Sequence, residues 1–148
     1  MADVIVQIKG KIRASKNKCL QLIAEEGEKE LKKNIMKNWY GTYPQRLYKR
    51  TKDFYNSAEA TVSEDKAIIR ENPDAFSASE SDVWNQHMSF DGSPFVGEDI
   101  LNVLEFGANG GLSPRSGEAA KALEATEKHL KSYIPKALGI AFGKIRIK

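Results

Sequence analysis

A chain of 148 residues with 41% apolar and 29% charged residues has the profile of one ordinary globular domain, with no composition bias towards a disordered or fibrous class. No apolar run approaches the ~20 residues needed to span a bilayer, and Met1-Ala2-Asp3-Val4 lacks the basic start and apolar core of a secretory signal. Cys19 is the sole cysteine, which excludes an intrachain disulfide, and the net charge of +3 conceals a split into +7 over residues 1–50, −8 over 51–115 and +4 over 116–148.

Val4, Val6 and Ile8 alternate with Ile5, Gln7 and Lys9, so the spacing predicts a short strand over 3–9, ended by Gly10. Leu20, Ile23, Gly27, Leu31, Ile35 and Trp39 then recur at three- and four-residue steps. They form one apolar stripe and predict a helix over about 14–38, stopped by Gly41 and Pro44. Residues 40–50 are a connection rich in Tyr, Arg and Lys. Strands are predicted over Asn56–Ser63 and Lys66–Glu71, with Glu64-Asp65 as a tight hairpin turn.

The stretch 72–97 has little periodicity, yet it contains Trp84, Phe90 and Phe95. Disordered segments are poor in aromatics, so it reads as an ordered or partner-ordered excursion. Ile100–Phe106 is predicted as a strand, and the glycines from Gly107 to Gly111 as a turn. Ser116 is a predicted cap for a second helix over about 116–142, whose buried stripe is Ala119, Leu123, Thr126, Leu130, Tyr133, Ala137 and Ala141. Pro135 inside it predicts a kink or a fresh helical start near Ser132. The last residues, 144–148, alternate basic and apolar and read as an edge strand. The expected fold is α+β, a small antiparallel β-sheet packed against two long α-helices in a single domain spanning 1–148.

The chemistry-bearing residues are sparse. His87 and His129 are the only histidines and neither has a cysteine or second histidine at ligand spacing. Cys19 has lysine neighbours but no partner in sequence for nucleophilic catalysis. The glycines at 107–111 lack the spacing of a phosphate-binding loop. No enzyme activity, metal or cofactor is expected. Three readings stay open for residues 40–55: aromatics and cations that contact nucleic acid, the same types as anchors of a protein interface, or a structural role with Arg50 paired to an acid such as Glu105. Glu105, set in an apolar strand, requires a partner if its face is buried.

Two words stand out: Arg50-Thr51 in Tyr48-Lys49-Arg50-Thr51-Lys52-Asp53-Phe54-Tyr55-Asn56-Ser57, and Glu105-Phe106-Gly107 in Val103-Leu104-Glu105-Phe106-Gly107. In this order, and between two amphipathic helices, they resemble the tail-completion (neck, or head–tail joining) family of long-tailed bacteriophages over about residues 14–140. The chain departs from the family pattern at Lys52, where glycine is common, and at Ala108, where threonine is common. The resemblance implies a structural virion protein made in the host cytoplasm. Its copies would form a ring in the neck between head connector and tail, in contact with partners such as the tail terminator and the head-closure protein. Double-stranded DNA would pass through the lumen, and no membrane is implied. It also marks Arg50, Thr51, Glu105, Phe106 and Gly107 as interface or structural residues. Tyr43, Arg46, Trp84, Phe90 and Phe95 are the further candidate partner contacts by residue type. The alternative expectation is a small basic nucleic-acid-binding protein that uses the basic region from Lys9 to Arg50.

Overall fold

The computed structural model describes residues 2–41, 52–76, 97–106 and 120–143. Helix α1 runs from Ala2 to Ile35 and passes into a π-helical turn over Met36–Tyr40. A short helix α2 (Asp53–Ser57) leads into strand β1 (Ala58–Val62), which pairs with β2 (Ala67–Glu71). A 3-10 turn at Pro73–Ala75, α3 (Gly97–Phe106) and α4 (Ala122–Phe142) follow. The architecture is α+β, with long helices packed against a small two-stranded antiparallel sheet.

The frame is α1 against α4. Asn34 Nδ2 donates to Thr126 Oγ1 at 3.1 Å near one end, and Cys19 packs with Ala137 and Ala141 near the other. The two helices are therefore antiparallel. The α4 stripe read from the sequence is the buried one: Thr126, Ala137 and Ala141 are buried, while Leu123, Leu130 and Tyr133 are half-buried. On α1 the same holds for Gly27, Leu31 and Ile35.

The hairpin lies along α1, with its base near Leu31 and Ile35 and its tip towards Arg13. Its register pairs Ala58 with Glu71 and Val62 with Ala67, and Ser63 N–H donates to the Lys66 carbonyl at 2.9 Å around the Glu64-Asp65 turn. The approach is close at Gly27, where an added Cβ would overlap the Ile69 side chain. The main core joins Leu31, Ile35, Phe54, Ala58, Leu101, Ala120 and Ala122, and the Trp39 ring meets Phe54 edge-on at 6.2 Å.

Several expectations are corrected. Residues 3–9 belong to α1 and are not a strand. Ile5, Ile8 and Ile12 follow helical spacing as well as Val4, Val6 and Ile8 follow alternation, and extending a formed helix costs far less than nucleating one. The stretch 100–106 is helical, not a strand. The first strand starts at Ala58 rather than Asn56, because α2 takes Asn56 and Ser57, with Ser57 Oγ donating back to the Phe54 carbonyl at 2.8 Å. Helix α4 runs unbroken through Pro135, so no fresh start occurs near Ser132. The Ser116 cap, the glycine turn, the 144–148 strand and most of the 72–97 excursion lie outside the described residues.

Candidate functional site

The residues that lead into α4 lie against the end of α3. Ala120 N–H donates to the Leu104 carbonyl at 2.8 Å, and Lys121 N–H to the Glu105 carbonyl at 3.2 Å. These bonds satisfy carbonyls that the end of a helix leaves open. Lys121 sits in the left-handed region at φ 49°, and its own side chain does not cap α4. The first N–H groups of α4 are instead taken by Glu105. Ala122 N–H donates to Glu105 Oε2 at 2.8 Å and Leu123 N–H to Glu105 Oε1 at 2.7 Å. A carboxylate at a helix N-terminus answers both the unsatisfied donors and the positive end of the helix dipole. Asn38, just past α1, ties in the same turn by donating to the Ala120 carbonyl at 2.9 Å.

Glu105 is buried, and so is a second acid, Glu71, at the end of β2. Burial pushes Glu105 above the usual carboxylate range, against the pull of backbone N–H groups of Ala122, Leu123 and Glu124. Glu71 Oε1, by contrast, is buried without a hydrogen-bond partner among the described residues. Burial first, and then the Glu105 carboxylate, push it up to about 8. With its value near 8, Glu71 is held as a neutral acid near pH 7, while backbone N–H groups of α4 oppose the effect of burial on Glu105.

Next to buried Glu105, Phe106 is 74% exposed and is the most exposed large hydrophobic among the described residues. Exposed aromatic rings of this kind are among the residue types that anchor protein contacts. The opposite end of the molecule offers charge. Residues 4–24 carry Lys9, Lys11, Arg13, Lys16 and Lys18 and no acid. Because Cys19 lies level with Ala137 and Ala141, the first turns of α1 continue past the last described turn of α4, and residues 9–14 are exposed. One of these cations, Arg13, makes an exposed pair with Glu64 at the hairpin tip at 3.4 Å.

Of the interface and partner-contact residues singled out from the sequence, Glu105 and Phe106 are described, the first buried and the second exposed. Arg50, Thr51, Gly107, Tyr43, Arg46, Trp84, Phe90 and Phe95 lie outside the described residues, as does His87. Both Glu105 carboxylate oxygens are engaged by backbone N–H groups of α4, so a helix cap supplies the partner that its burial requires. Sequence reasoning missed Glu71. The signal was the period of two in β2, which places Ala67, Ile69 and Glu71 on one face, and that face is the more buried one. No protein-family model, no curated protein and no solved structure matches the chain. Among the described residues no helix is long and apolar enough to cross a membrane.

Proposed function

We propose that the chain is a structural virion protein of a long-tailed bacteriophage, a tail-completion component whose copies form a ring in the neck around the double-stranded genome. The observation that carries this reading is the division of labour inside the Glu-Phe-Gly word. Glu105 locks α3 to α4, and Phe106 stands 74% exposed on that locked junction. A short motif that builds a rigid corner and presents an aromatic from it suits a subunit contact. The charge split of +7, −8 and +4 along the chain supports heterologous contacts between unlike faces, which close into rings when the subunit rotation closes.

The test is the mass of the full chain by light scattering, alone and mixed with tail-terminator and head-closure proteins of one phage. A defined higher oligomer or co-assembly is expected, and Phe106→Asp should abolish it while leaving the thermal melt of the subunit unchanged. A subunit that stays monomeric with every neck partner, or assembles equally well as Phe106→Asp, would overturn the reading.

A second reading rests on the acid-free basic stretch of α1. Five cations within residues 4–24, on a helix end that is exposed over 9–14, suit contact with phosphates. A nucleic-acid-binding protein of this kind would show duplex affinity that falls linearly on a log–log plot against salt. Lys9→Gln with Lys16→Gln should lower that slope by about 2. An assembly-competent ring with no duplex affinity at low salt would exclude it.

A further inference from the structure

We infer that Glu26 and Glu30 of α1 and His129 of α4 form a binding site for a single divalent transition-metal ion, with Zn2+ the best fit. One donor atom from each of the three side chains lies within 4.8 Å of the other two. His129 Nε2 and Glu26 Oε1 are already 2.9 Å apart. Ligands bound to one zinc at ~2.0–2.2 Å stand about 3.4 Å from each other, so a shift of about 1 Å in side-chain torsions closes the set.

The donors are held, not gathered by chance on a mobile surface. Glu26 and Glu30 are four residues apart, which places both carboxylates on one face of α1, towards α4. Glu30 is only 8% exposed. The His129 ring stacks on Tyr133, one turn further along α4, with centroids 6.2 Å apart and planes 15° from parallel. With the rings so aligned, Nε2 is directed at Glu26. The set is therefore a mixed nitrogen and oxygen site that joins two helices, not a run of surface acids.

Without a metal the two carboxylates are answered by lysines of the same helix. Like charges at this helical spacing repel. The lysine that answers Glu30 is Lys33, bonded to both carboxylate oxygens at 2.9 Å, with a side chain 63% exposed. Lys29 reaches the other oxygen of Glu26 at 3.7 Å from a side chain 75% exposed. In both pairs the lysine end lies largely in water, so either ammonium can turn back to solvent when a dication arrives.

The donor chemistry selects the ion. Calcium takes six to eight oxygens and magnesium a near-ideal octahedron, whereas three ligands including an imidazole suit zinc, cobalt or nickel, with a fourth position left to water. A bound ion would bridge α1 to α4 at mid-length, between the Asn34–Thr126 bond and the Cys19–Ala137 packing. It would therefore brace the helix pair on which everything else is mounted.

The experiment uses the full chain without an affinity tag, stripped with chelator and then freed of it. Zn2+ is titrated by calorimetry, Co2+ is followed by visible absorption, and the thermal melt is recorded with and without Zn2+. The expected result is one saturable Zn2+ per chain, a Zn2+-dependent rise in melting temperature, and Co2+ absorption bands of a low-symmetry nitrogen and oxygen site. His129→Ala and Glu30→Gln should each weaken binding by more than about tenfold, since even an indirect ligand contact is worth that much. Glu30→Gln keeps the shape of the side chain, which preserves a readable test should His129→Ala loosen the fold. No saturable binding below about 1 mM Zn2+, or binding unchanged in both variants, would overturn the proposal. The second of these outcomes would place the ion elsewhere in the chain.

Discussion

Replacing Glu71 by glutamine tests the buried junction most directly, because the change removes the ionisable group while keeping the shape. The structure pushes Glu71 from 4.5 up to about 8, by burial first and by the Glu105 carboxylate second. The sign follows from proton counting. Between about pH 4.5 and pH 8 the folded chain holds a proton on Glu71 that the unfolded chain releases, so stability falls as pH rises. The stabilising proton is fully present below the unfolded value and its contribution is lost above the folded one.

The slope from this group is at most ~1.4 kcal/mol per pH unit, and the full span is at most roughly 5 kcal/mol. Relaxation and water entry at the rim of the hairpin reduce that to roughly 2–4 kcal/mol in practice. Urea melts from pH 5 to pH 9 should therefore show the native chain losing stability across this window while Glu71→Gln stays nearly level. The two should lie within about 1 kcal/mol at pH 5, with the variant the more stable by roughly 2–4 kcal/mol at pH 9. A small slope should survive in the variant, because burial raises Glu105 too. Two stability curves that run parallel from pH 5 to pH 9 would refute the reasoning, since they would mean that Glu71 ionises in water as an ordinary carboxyl group.

Three further outcomes follow from single contacts. Glu105→Ala leaves the first N–H groups of α4 unanswered and should cost about 2–3 kcal/mol in a denaturant melt, with Glu105→Gln losing roughly half as much because one carbonyl acceptor remains. Gly27→Ala gains helix propensity but forces a methyl group into Ile69, so a net loss of about 1–2 kcal/mol is expected, read as a lower melting temperature; a rise would show that the helix and hairpin can separate freely. Thr126→Val removes the acceptor of Asn34 Nδ2 at the same volume and should cost about 1–3 kcal/mol by urea melts, because a buried amide donor is left unmade.

The long helices were legible because their signal is long. A stripe of period 3.6 over twenty residues, as in Leu20 to Trp39, has few competing explanations. The hairpin was legible because Glu64-Asp65 breaks two short β-prone runs at a length that fits a turn. The N-terminal residues failed for want of length. Five residues of alternation in Val4 to Ile8 also satisfy a helix once Ile12 is included, and the growing α1 decides the matter. The carboxylate and imidazole cluster was illegible, because Glu26 and His129 meet only when two helices align across 103 residues of sequence.

The reading of Glu105 shows why a residue can be expected to need a partner if buried while its secondary structure is misassigned. Leu101 and Glu105 are four residues apart, and four is both two strand repeats and about one helical turn. Both residues are buried under either assignment, so burial of the pair could not distinguish a strand from a helix. What separates the two is the neighbour. In a strand Phe106 would point to the face opposite Glu105, and in a helix it turns about 100° away from it. Neither periodicity states where Glu105 finds its partner, and an acid on an apolar face invites a search for an arginine. Here backbone N–H groups meet that need at 2.7 and 2.8 Å, donors that every sequence contains and that no residue type announces. Glu105 thus holds α3 against α4 through these bonds, and the Phe106 ring beside it faces outward.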